Sequence, residues 1–238
     1  MKALVIIPTF NEKENISSII QAVFSQSPPF HVLVIDDGSP DGTAGIVKQL
    51  QEINSDRLFL IERTGKLGLG TAYILGFQWA IQMGYDFVFE MDADFSHNPN
   101  DLPRLLQACI NGADVAIGSR YVPGGKIENW PLDRHIYSKG GAFYTRLITG
   151  IPVKDPTAGF VCYRRTALEA IDLPTIQFIG YAFQIEMKFK AWKLGLKIVE
   201  VPIVFVDRKA GASKMTKGII QEGVIGVWKM HQENKKQQ

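Results

Sequence analysis

Two aspartates with one residue between them, Asp92 and Asp94, are the side chains of this sequence best suited to holding a hard cation. At the end of an extended strand, side chains two apart point the same way, so both carboxylates can face one ion. Oxygen ligands of this kind suit Mg²⁺ or Mn²⁺ bridging the phosphates of a nucleotide. There the ion would neutralise charge on a departing diphosphate. Taken alone, an Asp-x-Asp pair also reads as a solvated turn with two capping acids, and that plainer reading is the commoner. A second acidic pair opens the run Asp36–Thr43, DDGSPDGT. Asp41 can cap a following helix, and Gly38 and Gly42 allow a tight turn. Asp36 and Asp37 need another explanation, because adjacent acids at the end of a buried strand are costly unless paired or bound. A contact to the base or ribose of a nucleotide is the preferred one. Lys66–Thr71, KLGLGT, is Gly-rich but fits neither the Walker nor the dinucleotide pattern. The start of a helix explains it as well as a phosphate cradle does.

Strands must carry these clusters. Ala3–Ile7, Val32–Ile35, Leu58–Ile61, Phe87–Met91 and Asp114–Ile117 are near-continuous apolar runs, the pattern of buried parallel strands. Helical spacing links Ile16, Ile19, Ile20, Val23 and Phe24, and then Ile46, Val47, Leu50 and Ile53. Further helices are expected over about Gly70–Met83 and Leu102–Ile110. Alternating strands and helices predict an α/β fold, a Rossmann-like, mainly parallel sheet flanked by helices. Ligands of such sheets bind beyond the carboxyl ends of the strands. Four polar clusters follow four of these strands: Pro8–Glu12, Asp36–Thr43, Asp92–Asp94 and Gly118–Tyr121.

The second half predicts a Gly/Pro-rich loop over Pro123–Pro131, a helix over His135–Thr149 and a strand over Gly159–Tyr163. A helix near Ala182–Leu194, a strand over Ile198–Phe205 and a terminal helix from about Thr216 follow, with a disordered tail from His231. No linker or repeat divides the chain, so a single domain is expected. With 46% hydrophobic residues and a net charge of +2, the 238 residues can bury a core but lack the basic bias of a nucleic-acid binder. Cys109 and Cys162, without metal-like spacing, are expected as buried thiols in a reducing compartment. The sequence contains no signal peptide and no apolar run long enough to span a bilayer, so a soluble or peripherally bound protein is expected.

Read jointly, Pro8–Glu12, Asp36-Asp37-Gly38-Ser39 and Asp92-Ala93-Asp94 resemble, in order and spacing, the inverting nucleotide-sugar glycosyltransferases of family 2 with the GT-A fold. Longer matches resemble the branch of that family that moves mannose onto dolichol-type phosphates. They are DDGSPDGT, KLGLGT, DADFSHNP at Asp92–Pro99, GSRY at Gly118–Tyr121, RHIYSKG at Arg134–Gly140 and DPTAGFVCY at Asp155–Tyr163. The resemblance runs from about Ala3 to Lys214. It implies a catalytic domain over 1–215, with a nucleotide and metal half (1–120) and an acceptor half (121–215), then an amphipathic helix and tail over 216–238.

The implied activity is metal-dependent transfer of mannose from GDP-mannose to a polyprenyl (dolichyl-type) phosphate, with inversion. By resemblance, Pro8, Asn11, Glu12, Asp36 and Asp37 hold the nucleoside, and Asp92 and Asp94 hold Mg²⁺ or Mn²⁺. Where some members place a Gln two residues beyond the second aspartate, this chain has Ser96, which leaves the third protein ligand open. Gln184 and Glu186 match a polar pair that contacts the donor sugar, although both also suit a helix's polar face. Residues matching Arg120, Arg134, Ser138, Arg208 and Lys214 grip the lipid phosphate, so Asp94, Arg120 and Arg134 are the expected catalytic set.

Chemistry agrees with such an acceptor. A phosphate monoester has a second pKa of about 6 and is already anionic, so the site needs cations rather than a strong base. Lys139 is a further candidate cation. The apolar terminal segment Ile219–Met230, with Trp228 and Lys229 at one end, fits either an interfacial helix or packing on the domain. Membrane surface, at the cytoplasmic face, and a membrane-protein partner are accordingly expected contacts; nucleic acid is not. Competing activities are a polyprenyl-phosphate glucosyltransferase using UDP-glucose, a nucleotidyltransferase, and a non-catalytic nucleotide-sugar sensor. A Gln-x-x-Arg-Trp motif, usual in processive polymerases, is absent. A nucleotidyltransferase would carry a Gly-rich loop where this chain has Pro8–Glu12.

Overall fold

The computed structural model describes residues 1–180, 182–207 and 217–236. Its first half alternates β1 (Ala3–Thr9), α1 (Ile16–Phe24), β2 (His31–Asp36), α2 (Thr43–Glu52), β3 (Leu58–Glu62), α3 (Leu69–Gln82), β4 (Phe87–Glu90), α4 (Leu102–Ile110) and β5 (Val115–Ser119). Every strand and helix expected there forms, with ends shifted by a residue or a few. The rest comprises β6 (Lys126–Glu128), α5 (Leu132–Thr149), β7 (Val161–Arg164), α6 (Arg165–Ala170), α7 (Ala182–Lys193), β8 (Ile198–Pro202), β9 (Val204–Val206) and α8 (Lys217–Lys236).

Seven strands form one sheet in the order β3-β2-β1-β4-β7-β5-β8, in which β7 runs antiparallel to β4 and β5. The central strands are apolar throughout because both faces are covered. Along β1, Ala3, Val5 and Ile7 join Ile16, Ile19 and Ile20 of α1 and Leu102, Leu105 and Leu106 of α4 in one core. Leu4 and Ile6 turn the other way, into a second core with Tyr73, Phe77 and Ala80 of α3. From β1 the chain winds outward through β2 to β3, then returns to β4 on the other side of β1. A crevice opens beyond the carboxyl ends of the strands at such a reversal, and the loops after β1 and β4 flank it. Cys109 and Cys162 are buried free thiols, as expected.

Several departures lie in the second half. The expected loop Pro123–Pro131 holds β6, which pairs in parallel with β9 in a two-stranded ribbon. The strand expected over Ile198–Phe205 breaks into β8 and β9 just after Pro202, which lacks a backbone donor for the ladder. Helix α6 was not foreseen; six residues give too short a period to read. The tail expected from His231 is instead helical to Lys236. Val227 and Met230 are buried and anchor α8 against α5 and α7. Gln, Glu and Lys then extend a helix whose nucleus packing has already formed.

Candidate active site

The crevice between β1 and β4 encloses about 250 Å³ and is lined by Pro8, Thr9, Phe10 and Glu12 after β1, Asp37 after β2, and Asp92 to Asp94 after β4. Lys66 and Leu69, from the Gly-rich stretch ahead of α3, complete one wall. Local hydrogen bonds knit the loops. Asn11, at φ 60°, donates its N–H to Ser39 Oγ at 2.9 Å, and the Glu12 N–H reaches Thr43 Oγ1 at 3.1 Å. Asp41 accepts from the N–H groups of Thr43 and Lys13, both at 3.0 Å, and so ties the two loops together, while Gly42 rather than Asp41 stands at the N-cap of α2.

The paired acids Asp36 and Asp37 have different tasks. Asp36 is 1% exposed and lies behind the wall. Its Oδ1 accepts from Thr9 Oγ1 at 3.0 Å and Ser39 Oγ at 2.6 Å, and its Oδ2 accepts from the Ser39 N–H at 2.8 Å. It shapes the loop. Asp37 faces the crevice and pairs with Arg63, whose Nε donates at 2.6 Å. The Arg63 guanidinium is fixed in turn by Thr71 Oγ1 at 2.7 Å and the Gly68 carbonyl at 3.3 Å. Sequence reasoning missed Arg63. Its position directly after β3, like the polar clusters after the other strands, was the signal available.

Asp92 and Asp94 stand together at the crevice. The Asp94 carboxylate accepts from the Ser96 N–H at 3.0 Å, and Ser96 itself is buried. The N–H of Asp92 donates to Nδ1 of His97 at 3.1 Å, which requires an imidazole unprotonated at that nitrogen. Burial pushes the His97 pKa below its usual value and favours that neutral form. The ring stacks on Phe160 at 5.0 Å and meets Phe205 edge-on at 5.7 Å. It was not among the expected site residues, because no pattern in DADFSHNP distinguishes a buried histidine from an exposed one. Among the described residues, no three His, Cys, Asp or Glu side chains gather into a metal site of their own. Two hard carboxylates facing one crevice nevertheless fit Mg²⁺ or Mn²⁺, which would take its remaining ligands from phosphates and water.

Gln184 and Glu186 are not among the crevice-lining residues. Both are buried, at 5% and 3% exposure. Gln184 Nε2 donates to Glu90 Oε2 at 2.5 Å, and its Oε1 accepts from Lys188 Nζ at 2.9 Å. Burial pushes the Glu90 carboxyl above its usual range and the Lys188 ammonium below its own, while each charge partly offsets the shift of the other. Glu186 accepts from the N–H groups of Gln177 and Phe178 and so pins the loop ahead of α7. That loop touches the Gly-rich stretch beside the crevice through Ile179, whose carbonyl accepts from the Gly70 N–H at 2.8 Å.

A second cavity, of about 380 Å³, lies in the other half between the β5–β6 connection and α5. Arg120, Lys139, Arg146 and Lys154 line it. Arg120 Nε and Nη2 donate to the two oxygens of Asp155 at 2.7 and 2.6 Å. Burial alone would raise the Asp155 pKa, but the Arg120 charge and hydrogen bonds outweigh it and hold the carboxyl below its ordinary value. Arg134 lies outside the lining, bound to Asp207 at 2.7 Å with its guanidinium 4.2 Å from the Trp130 ring centre. Phe205 and Trp130 also flank Arg120, at 5.5 and 5.7 Å. Ser138 is buried and accepts from the Tyr121 hydroxyl at 2.7 Å. Arg208 and Lys214 lie outside the described residues. His97 and Phe205 thus join the two sites: Nδ1 of His97 holds the Asp92 backbone, and its ring meets that of Phe205, which flanks Arg120.

Residues 4–172 match the model of glycosyl transferase family 2. The chain is 48% identical over 226 residues to a polyprenol monophosphomannose synthase of Mycolicibacterium smegmatis, covering 95% of this chain and 85% of that protein. It is 48% identical over 227 residues to an undecaprenyl-phosphate mannosyltransferase of Micrococcus luteus, covering 95% and 93%. A dolichol-phosphate mannosyltransferase of Pyrococcus furiosus is 38% identical over 237 residues, covering 97% of this chain and 64% of that one. Among solved structures, glucosyl-3-phosphoglycerate synthase of Mycobacterium tuberculosis, bound to Mn²⁺, UDP-glucose and glycerol 3-phosphate, superposes with a TM-score of 0.71. At 18% identity, covering 97% of this chain and 80% of that one, it shares the fold.

Proposed function

The chain belongs to glycosyl transferase family 2 and has the GT-A fold, and from that premise we propose that it transfers mannose from GDP-mannose to a polyprenyl phosphate. The products are polyprenyl phosphate β-mannose and GDP, formed at the cytoplasmic face of a membrane. Identity of 48% over nearly the whole chain to a polyprenol monophosphomannose synthase is the observation that carries this reading. Residues 1–120 supply the donor side and 121–215 the acceptor side of one catalytic domain, except that Arg120, at the boundary, turns to the acceptor side.

On the donor side, Pro8, Asn11, Glu12 and Asp37 hold the nucleoside, with Asp36 fixing their loops and Arg63 fixing Asp37. Asp92 and Asp94 would hold Mg²⁺ or Mn²⁺, which would supply positive charge against the departing diphosphate. On the acceptor side Arg120 and Arg134 hold the lipid phosphate. Their partners Asp155 and Asp207 keep both guanidiniums oriented before substrate arrives. The phosphate oxygen is anionic at neutral pH and attacks the anomeric carbon opposite the leaving group, so the configuration inverts and no side chain has to remove a proton.

The test is transfer of labelled mannose from GDP-mannose to a short polyprenyl phosphate with Mg²⁺ or Mn²⁺, alongside UDP-glucose. Label in the lipid that is lost with EDTA or with Asp94→Ala, and a β-linked product by NMR, would support each element. Transfer from UDP-glucose alone would overturn the sugar, and an α-linked product would overturn inversion.

A further inference from the structure

The indole of Trp130 is buried at its Nε1, yet among the described residues that N–H meets no acceptor. A buried donor without a partner is costly, and native folds keep such groups rare. Tyr73 Oη, Tyr163 Oη and Glu90 Oε1 are three other buried atoms without partners among the described residues. Those three belong to one electrostatic cluster at the end of β4, and a hydroxyl that rotates there can donate to the carboxylate. No such exchange can serve Trp130. An indole only donates, and Arg120, Arg134 and Phe205 around it offer no acceptor. His135 approaches to 5.6 Å between ring centres but does not accept from it.

What stands beside the indole indicates the missing acceptor. Its ring centre is 4.2 Å from the Arg134 guanidinium and 5.7 Å from that of Arg120. Carboxylates of Asp207 and Asp155 hold these two cations in place. Phe205 of β9 meets the indole edge-on at 5.4 Å and fixes its plane. One ring is therefore shared by both guanidiniums of the acceptor side. A phosphate that touches both must lie against it. A phosphate monoester offers three strong acceptor oxygens, one for each guanidinium and one more. That last oxygen is the kind of acceptor the N–H lacks. The donor crevice is a poorer source, because its lining runs from Pro8 to Asp94 and does not include Trp130.

We propose that the Trp130 Nε1–H donates to a terminal oxygen of the acceptor phosphate, as a phosphate-binding group beside Arg120 and Arg134. The proposal rests on the lipid-phosphate acceptor argued above, and it adds a neutral, rigidly held donor to that grip. Its test is the indole N–H spectrum of the full chain labelled with ¹⁵N, which carries four tryptophans. Trp130→Phe identifies the Trp130 signal by its loss. With an excess of a short, water-soluble polyprenyl phosphate, that signal is expected to move downfield while the other indole signals stay. GDP with Mg²⁺ should leave it in place. Trp130→Phe keeps a ring against Phe205 and Arg134 and removes the donor. It should raise KM for the acceptor about tenfold or more, the loss of a hydrogen bond to a charged group. KM for the donor and the thermal midpoint should not change.

A Trp130 signal unmoved by polyprenyl phosphate would overturn the proposal, as would an unchanged acceptor KM in Trp130→Phe. A signal that moves with GDP and Mg²⁺ alone would overturn it too, giving the N–H to the leaving diphosphate. A merely structural indole would lower the thermal midpoint in Trp130→Phe and move both KM values together. If polyprenyl phosphate moves the signal yet no donor yields mannosylated lipid, the indole contact stands and the proposed reaction falls. Mannose transfer with an unmoved signal would leave the reaction standing and remove the contact.

Discussion

Replacing Asp155 with alanine should cost the folded state about 3–5 kcal/mol, the range for breaking a buried ion pair from one side. Asp155 is 0% exposed and the Arg120 side chain 8%, so water screens neither charge. The carboxylate accepts three hydrogen bonds from Arg120, at 2.7 and 2.6 Å from the guanidinium and 3.0 Å from the backbone N–H. Alanine leaves that guanidinium against Trp130 and Phe205, rings that cannot replace a carboxylate. Removing both charges leaves none stranded, so Arg120→Met with Asp155→Leu should cost less than Asp155→Ala alone. Urea unfolding followed by tryptophan fluorescence measures each. The pH dependence has a definite sign. Because the folded-state pKa of Asp155 is lowered, its contribution is complete above the unfolded value of about 3.9 and fades as pH falls through the folded value. The gap between wild type and Asp155→Ala should therefore be level from about pH 5 to 8 and close only in stronger acid. A cost below about 1 kcal/mol at neutral pH, or a gap that widens toward acid, would refute the reasoning.

Three further outcomes are expected. Asp92→Asn and Asp94→Asn should each lower kcat by at least about a hundredfold, from lost charge stabilisation. Both should weaken Mn²⁺ binding by electron paramagnetic resonance and leave the thermal midpoint unchanged. His97→Leu removes the acceptor of the Asp92 N–H, worth about 1–3 kcal/mol, and should lower kcat with partial recovery in His97→Gln. The lowered folded-state pKa of His97 makes wild-type stability fall as pH drops through the unfolded value of about 6.5. Urea midpoints at pH 7 and 5 should therefore lie closer together in His97→Leu than in wild type. Gly125→Ala would place a Cβ 2.7 Å from the Ser119 carbonyl oxygen and 2.8 Å from the Arg120 carbonyl, both backbone. The strain, about 1–3 kcal/mol, should displace the loop lining the cation cavity and raise KM for the acceptor more than for the donor.

The strands and helices of the first half and the clusters at their ends were legible because they obey local rules. An apolar run such as Leu4–Ile7 signals a strand buried on both faces, and a parallel sheet binds ligands where Asp37 and Asp92 stand. Chain order alone thus gathered Pro8, Asp37, Asp92 and Asp94 around one crevice. Which side chains meet across the chain could not be read the same way. Arg63 finds Asp37 across 26 positions and Arg120 finds Asp155 across 35. His97 reaches the rings of Phe160 and Phe205 from different elements. Gln184 and Glu186 share a helix that buries both, and its polar side chains gave no sign of that. Helix α5 is the sharpest case, for it turns Leu132, Ile136, Phe143 and Leu147 outward. Periodicity reports that these four share a face, but not that Ala142, Thr145 and Thr149, with Tyr144 and Ile148 beside them, take the core side. Spacing along the chain sets which residues lie together on one element; the direction that element turns depends on every other surface competing for burial, and folding alone resolves that competition.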